Sequence, residues 1–156
     1  MLTKLLQSIY GLLDYLKPLV DLLARIWVGQ VFFYSGLMKL QAFQATILLF
    51  SNIYKVPFIS PVVAAWLATS SELVLPILLV IGWGGRIVIL IFFFFNAITM
   101  ITYPFLWTSQ GYMALTQHVV WALLLALLMC HGSGKWSLDY LIRRNKGHHL
   151  QKNTKE

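Results

Sequence analysis

Glu72 is the residue of this 156-residue chain whose type and position most clearly suggest chemistry. It is the only acidic residue between Asp21 and Asp139, and it lies within the apolar run 61–81 (PVVAAWLATSSELVLPILLVI). At about 1.5 Å per residue, that run is long enough to cross a hydrocarbon core of about 30 Å. A carboxylate at that depth is costly, so it usually faces a protein interior or an aqueous cavity and has a partner. We therefore expect Glu72 to face polar groups inside the protein.

Two other polar residues lie at a similar depth and could be those partners. Asn96 is near the middle of the apolar run IFFFFNAIT, and Gln30 is slightly nearer the inner end of an earlier run. A midplane cluster of Gln30, Glu72 and Asn96 would satisfy each group. Such a cluster could simply hold helices together. It could instead act as a proton relay, a contact for a quinone head group or a contact for another substrate.

A second polar set lies nearer the opposite, outer end of the same runs. Ser35 and Lys39 are one helical turn apart on one face, and His118 begins the last apolar run at a similar depth. Histidine titrates near neutral pH, so His118 could transfer a proton at this surface. It could equally be a helix-end histidine at the level of the lipid headgroups.

The sequence offers no metal or covalently bound cofactor site. His118 and His131 are thirteen residues apart on one predicted helix, which separates them by about 20 Å, so they cannot share one iron. Cys130 is the only cysteine, which excludes an internal disulfide and a CxxC motif. Phosphate loops and nucleophile triads are absent from the sequence.

The composition indicates an integral membrane protein with one domain. Hydrophobic residues make up 59% of the chain and charged residues only 11%, whereas soluble domains contain about 25% charged residues. Of the twelve Lys and Arg residues, six follow residue 134. This placement favours a signal for membrane orientation and attraction to anionic lipids over nucleic-acid binding.

The apolar runs predict an all-α fold, an up-down-up-down transmembrane four-helix bundle. Its spans are expected at 22–40, 61–81, 87–106 and 112–131, with a tight turn at 82–86 between the second and third. One membrane domain would cover residues 1–144, and residues 145–156 would form a polar basic cytoplasmic tail.

Two further helices are expected beside the spans. Apolar residues recur every three or four positions from Leu2 to Leu23, which predicts an N-terminal amphipathic helix in the membrane interface, bent near Pro18. An N-terminal extension of the first span is the alternative. Segment 41–60 is half apolar, and it predicts an interfacial or partly re-entrant helix over the outer mouth of the helices.

The distribution of basic residues predicts the orientation. With four spans, ten Lys and Arg residues fall on one side and only Lys39 and Lys55 on the other. The positive-inside rule therefore places both termini in the cytoplasm.

Several of these segments resemble DoxX-family membrane proteins. The similar stretches are 25–39 (RIWVGQVFFYSGLMK), 72–82 (ELVLPILLVIG) with Gly85-Arg86, and 131–139 (HGSGKWSLD). Tyr103-Pro104 and His118-x-x-Trp121 are similar to a branch with a long first outer loop, often encoded near bufferin-type clusters. The residues that match the family pattern are Arg25, Lys39, Glu72, Arg86 and Asp139.

The resemblance implies a four-helix protein of the prokaryotic inner membrane and leaves its activity open. DoxX and DoxD proteins include subunits of quinone-linked oxidoreductases, so the first hypothesis is a membrane subunit of such a system. It would be an oxidoreductase subunit without its own cofactor, with quinone as a bound molecule. In this hypothesis Glu72, Lys39 and His118 are the catalytic candidates, and Gln30, Asn96 and Arg25 are the candidate quinone contacts.

The second hypothesis is a non-enzymatic membrane scaffold or assembly factor for a protein or a modified metal-binding peptide. A small transporter is a third possibility, and the lack of an inverted repeat disfavours it. Expected partners are the lipid bilayer and a membrane or periplasmic oxidoreductase or peptide-processing protein. Nucleic acid is not expected as a partner, and oligomerisation is left open.

Overall fold

The computed structural model describes residues 2–132, 134 and 136–144, and within these residues the secondary structure is helical. The predicted cytoplasmic tail at 145–156 lies outside the described residues. The helices, in chain order, are α1 (Leu2–Gln41), α2 (Phe43–Asn52), α3 (Pro61–Ile81), α4 (Gly85–Thr102), a 3₁₀ helix (Pro104–Trp107) and α5 (Tyr112–His131). Residues 138–144 are also helical and are called the C-terminal helix here.

Helix α1 is much longer than one predicted span. Its 40 residues run without interruption through Pro18, over about 60 Å of helix axis. The N-terminal segment is thus an extension of the helix that contains the first predicted span, as the alternative interpretation expected, and not a separate helix. Residues 3–20 are almost entirely exposed, so this half of α1 projects beyond the other helices.

Helix α2 lies within the loop segment for which a helix was expected. The Thr46 hydroxyl donates to the Lys39 carbonyl at 3.0 Å and is also 3.2 Å from the Ala42 carbonyl, which links α2 to the end of α1. The backbone N–H of Lys55 donates to the Thr102 carbonyl at 2.8 Å, joining the loop after α2 to the end of α4. These bonds fix α2 at one end of the long helices, here called the outer end in accordance with the predicted orientation.

The ends of α3, α4 and α5 follow local sequence signals. Helix α3 begins at Pro61 after a Ser60 cap and ends at Gly82, which adopts a left-handed conformation at φ 70°, as C-terminal glycines commonly do. Helix α5 has the predicted limits. Helix α4 ends at Thr102 and not at 106, because Pro104 begins the separate 3₁₀ helix.

One apolar core is shared by the four long helices. Each helix contributes two buried residues to it, which are Val28 and Phe32, Leu75 and Leu79, Ile89 and Phe92, and Leu125 and Leu128. The Phe32 ring packs edge-on against Phe92, with ring centroids 4.8 Å apart. This core holds α1, α3, α4 and α5 against one another.

Helices α1 and α3 approach closely because α1 has glycine at the contact. A Cβ atom at Gly36 would lie 3.0 Å from Glu72 Cβ, and one at Gly29 would lie 2.8 Å from Val80 Cγ2. Small residues permit this close packing of membrane helices. The approach also brings the α1 backbone alongside Glu72.

By length and composition, three helices in the described part of the chain could cross a membrane: Pro61–Ile81, Gly85–Thr102 and Tyr112–His131. Helix α1 is not one of them. Its second half contains Arg25, Gln30 and Lys39, which lower its apolarity. The protein is therefore a helical membrane protein, and the crossing by α1 remains a prediction.

Candidate functional site

The centre of the site is a buried ion pair between α1 and α3. Lys39 Nζ lies 2.6 Å from both carboxylate oxygens of Glu72 and donates to Ser35 Oγ at 2.9 Å. The two charged side chains are only 14% and 6% exposed. The expected neighbours Ser35 and Lys39 are therefore in contact, and the partner that Glu72 required is an ammonium group. Pairing lowers the high cost of holding either charge in an apolar interior.

Local helix geometry positions both partners. Gly36 faces Glu72 Cβ, so the carboxylate can lie against α1 within reach of the long Lys39 side chain. Pro76 follows one turn after Glu72 and has no N–H to donate to the Glu72 carbonyl. The helix around Glu72 consequently has one backbone hydrogen bond fewer than a regular helix.

Aromatic side chains cover the outer side of the site. Tyr54 stacks between Phe50 and Tyr103, with ring centroids 4.4 and 4.6 Å away. Burial, followed by the negative charge of Glu72 and the Tyr103 phenol, raises the pKa of the Tyr54 phenol. The stack thus places a neutral hydroxyl-bearing ring within the electrostatic reach of Glu72.

Two buried polar groups near this site have no hydrogen-bond partner among the described residues. They are Thr69 Oγ1 and Trp121 Nε1. Thr69 is 1% exposed and precedes Glu72 by three positions, which puts both side chains on the same face of α3. Buried polar groups normally have a partner, so the Thr69 hydroxyl is available to a bound molecule or water.

His118 binds Asn96 through two contacts between α4 and α5. Asn96 Nδ2 donates to the His118 carbonyl at 3.0 Å, and Asn96 Oδ1 lies 2.7 Å from His118 Nδ1. An amide oxygen can only accept, so Nδ1 must hold the proton, and Nε2 of the neutral ring has the free lone pair. The ring packs edge-on against Trp121, with ring centroids 4.8 Å apart. It also lies close enough to Lys39 to interact with the charge of the ammonium group.

The predicted midplane cluster of Gln30, Glu72 and Asn96 does not form. Glu72 pairs with Lys39, Asn96 pairs with His118, and Gln30 is exposed. Equal depth does not ensure that side chains face one another, because each side chain also has its own direction around the helix axis. Gln30 follows the buried Val28 by two positions, about 200° around the helix, so it points away from the core.

Gln30 instead borders an apolar groove on the outside of α1 and α3. The groove has a volume of about 310 Å³ and is lined by Ile26, Gly29, Gln30, Phe33, Pro76, Ile77, Val80 and Ile81. Its Pro76 end is one helical turn from Glu72. The groove and the ion pair therefore lie on the same pair of helices.

Arg25 lies near the middle of α1, toward the inner end of the packed helices, and is far from the Lys39–Glu72 pair. It is fourteen positions before Lys39, about 21 Å along the helix. Its Nη1 lies 3.4 Å from the Trp136 carbonyl, and nearby Asp21 Oδ1 lies 3.0 Å from His131 Nδ1. The Asp21–His131 contact was not predicted, although Asp21 and Arg25 lie one helical turn apart on the same face of α1. This inner group joins the segment after α5 to α1.

The described residues contain no cluster of three or more His, Cys, Asp or Glu side chains that could hold a metal ion. The site is an ion pair with the Thr69 hydroxyl on the same face of α3 and with the His118 imidazole within electrostatic reach of Lys39. Chemically, such a set can bind a polar head group and exchange protons with it.

The helices and this buried pair define a helical membrane protein with a polar interior site. The sequence profile of the DoxX family matches residues 20–104, just over half of the chain, and the chain belongs to that family. The match includes Lys39 and Glu72, and it ends before α5 and the 131–139 segment. Searches of curated proteins and of solved structures gave no match.

Proposed function

We propose that this chain is a membrane subunit of a quinone-linked redox system in which Lys39 and Glu72 bind the quinone head group and exchange its protons. The observation on which this depends is the buried Lys39–Glu72 pair, with Nζ 2.6 Å from the carboxylate. An ammonium can donate to a quinone carbonyl oxygen, and a carboxylate can accept a proton from a quinol hydroxyl. The Thr69 hydroxyl, which has no hydrogen-bond partner among the described residues, would offer the head group a further polar contact.

In the proposed reaction, reduction of a quinone takes two electrons and two protons, and oxidation of the quinol returns them. Glu72 transfers a proton at one quinone oxygen while Lys39 stabilises negative charge that develops there. The electrons come from or go to a partner redox protein, because the sequence contains no cofactor motif. His118, with Nε2 unprotonated in the neutral ring, is the proposed proton exchanger toward the outer surface.

The apolar groove supports the choice of ligand. Ligand sites are mostly apolar and have a few polar groups that fix orientation. A quinone tail could lie along the groove of α1 and α3, beside Gln30, with its head toward Pro76 and Glu72. The sequence resemblance to subunits of quinone-linked oxidoreductases suggests the same ligand class.

The proposal includes a membrane arrangement. Helices α1, α3, α4 and α5 would form an up-down-up-down four-helix bundle in the inner membrane of a prokaryote, with both termini cytoplasmic. The positive-inside distribution of Lys and Arg supports this orientation. In it, the Lys39–Glu72 pair lies in the half of the membrane nearer the outside.

A membrane scaffold is a second candidate, because the other described residues leave much of the surface of the N-terminal half of α1 exposed. Tyr15 is 82% exposed and Leu12 59% exposed. Such a helix could bind a partner protein or a modified peptide, or lie against lipid. In that case the ion pair would only hold α1 against α3.

Glu72→Gln tests the redox proposal. The variant should lose quinone-dependent activity in cells while it is still inserted into the membrane, and its thermal stability should fall because the buried Lys39 ammonium keeps only a neutral partner. Asp14→Asn is the matched control, since Asp14 is 67% exposed and pairs only with the neighbouring Lys17 in α1. Mass spectrometry of the purified wild type should find quinone. A protein partner in stoichiometric amount without quinone, together with an active Glu72→Gln variant, would favour the scaffold.

A further inference from the structure

A second site-like feature lies at the inner end of the helices, opposite the Lys39–Glu72 pair. It is a cavity of about 800 Å³ between the α3–α4 turn, the end of α5 and the C-terminal helix. This volume lies within the range of about 300–1,000 Å³ that is typical of ligand sites. Neither the proposed redox chemistry nor the shared core uses this cavity.

Two arginines from separate helices line the cavity. Arg86 belongs to the first turn of α4 and Arg143 to the C-terminal helix. Arg86 Nη2 donates to the Cys130 carbonyl at 3.2 Å, which holds the guanidinium at the end of α5. A guanidinium has five N–H donors in a planar fork that suits phosphate oxygens. The convergence of two such groups favours an anionic ligand with several oxygen acceptors.

The acidic group of the cavity lies against the α3–α4 turn. Asp139 Oδ1 accepts from the Gly84 N–H at 3.3 Å, and the Asp139 N–H donates to the Gly82 carbonyl at 3.3 Å. Asp139 thus fastens the C-terminal helix to the turn, and the same helix carries Arg143 into the cavity wall. The next residue, Tyr140, adds a phenol to the cavity wall.

The start of α4 adds to the positive potential of the cavity. The N-cap residue Gly84 has no side chain that could accept from the first N–H groups of α4, and the first turn of the helix contains no acidic residue. Gly85, Arg86 and Ile87, whose N–H groups are those left unpaired at a helix start, all line the cavity. The helix dipole therefore acts in the same sense as the arginines.

The surroundings of the cavity point to a lipid as the source of the anion. Trp83 and Trp136 flank this end of the helices and are both 56% exposed, and exposed tryptophans are typical of the headgroup level of a membrane. The neighbouring Ile87 is 70% exposed beside the cavity. A ligand here would have its charged part among the arginines and apolar chains alongside α4.

We propose that this cavity binds the phosphate group of an anionic phospholipid, with Arg86 and Arg143 as its ligands. Basic pockets between membrane helices on the cytoplasmic side are suited to such headgroups. The site is independent of the redox proposal and would be present in a scaffold as well.

The test measures lipid binding to the delipidated full-length chain in detergent. Native mass spectrometry would be used while phosphatidylglycerol, phosphatidylcholine or inorganic phosphate is titrated. The wild type should bind phosphatidylglycerol at least tenfold more tightly than phosphatidylcholine. Arg86→Gln and Arg143→Gln should each weaken phosphatidylglycerol binding about tenfold, a loss in keeping with charge-assisted hydrogen bonds.

Arg144→Gln is the matched control, because Arg144 is exposed on the same helix and does not line the cavity. It should leave phosphatidylglycerol binding within about twofold of the wild type. An equal loss in Arg144→Gln would show a diffuse charge effect and overturn the proposal. Equal binding of phosphatidylglycerol and phosphatidylcholine by the wild type would overturn it too, and this comparison does not depend on the folding of any variant. Saturable binding of inorganic phosphate without any lipid preference would also overturn it.

Discussion

At the scale of single residues, variants of the Lys39–Glu72 pair can distinguish a role of the pair in stability from a role in activity. Lys39→Met would leave the Glu72 carboxylate buried and unpaired, which should lower the free energy of unfolding by about 3–5 kcal/mol. Lys39→Met combined with Glu72→Met should recover most of that loss, because apolar side chains of similar volume often replace a buried pair without cost. Denaturant unfolding in detergent would measure both changes.

If the redox proposal is correct, the double variant should fold but lose quinone-dependent activity. If Lys39→Met alone proves as stable as the wild type, the pair is not a buried ion pair in the membrane protein. If the double variant is stable and retains quinone-dependent activity, the pair is purely structural.

At the same scale, we expect Tyr54 to affect how the stability of the folded protein depends on pH. Its pKa is raised in the folded protein by burial, by Glu72 and by Tyr103, whereas an unfolded tyrosine titrates near about 10. The folded state therefore holds the phenol proton more tightly, and this contribution to stability is complete below pH ~10 and decreases as the pH rises above it. Tyr54→Phe should unfold with a shallower decline above pH ~10. Thermal melts of both proteins between pH 8 and 11 would measure the difference, and parallel declines would contradict it.

Residue type and depth predicted that Glu72 has a polar partner but did not identify it. Lys39 was assigned to a separate polar set nearer the outer end, and instead its long side chain reaches Glu72. That contact depends on how closely α1 and α3 pack. The exposure of Gln30 could have been predicted from helical periodicity, since Val28 and Phe32 define the buried face. The contact between Asn96 and His118 depends on the pairing of α4 with α5, which the sequence alone does not specify.

At the scale of the helices, the α1–α3 contact makes glycine at position 36 necessary. Gly36→Ala would place a Cβ about 3.0 Å from Glu72 Cβ and from the Leu73 side chain. Overpacking of this kind costs about 1–3 kcal/mol, and it should also disturb the ion pair.

Gly11→Ala is the control in the same helix, because a Cβ at Gly11 meets nothing within 4 Å. It should stabilise the protein by roughly 0.5–1 kcal/mol, since alanine is the better helix former. Thermal melting of the two variants would measure the contrast. Equal effects would indicate that α1 and α3 do not pack closely.

Local sequence signals gave the limits of α3 and α5, but the end of α4 was predicted at 106 although Pro104 ends that helix earlier. Pro61 with Ser60, Gly82 and Gly132 mark the ends of α3 and α5, and the predicted spans coincide with these helices. Pro18 was interpreted as a bend, yet α1 continues through it as a helix. Whether the axis of α1 bends at Pro18 depends on tertiary packing. A single sequence does not specify that packing for a segment that extends beyond the core.

At the scale of the whole molecule, the decisive question is whether α1 crosses the membrane. If it does, the N-terminal half of α1 and the C-terminal helix lie on one side, and α2 lies on the other. Three spans without α1 would instead place the N-terminal half of α1 on the same side as α2. The positive-inside distribution of Lys and Arg favours four spans.

Single cysteines distinguish the two arrangements. In a Cys130→Ser background, Ser8→Cys, Gln44→Cys and Arg144→Cys each introduce a thiol at an exposed position. A membrane-impermeant maleimide added to intact cells should label Gln44→Cys, and should label the other two only after the cells are opened. Labelling of both Ser8→Cys and Gln44→Cys in intact cells would show that α1 does not cross. Glu72 would still lie near the middle of α3, which crosses the membrane in both arrangements, but Lys39 would lie in a helix that does not cross. The buried Lys39–Glu72 pair and the proposed quinone site would then no longer be tenable.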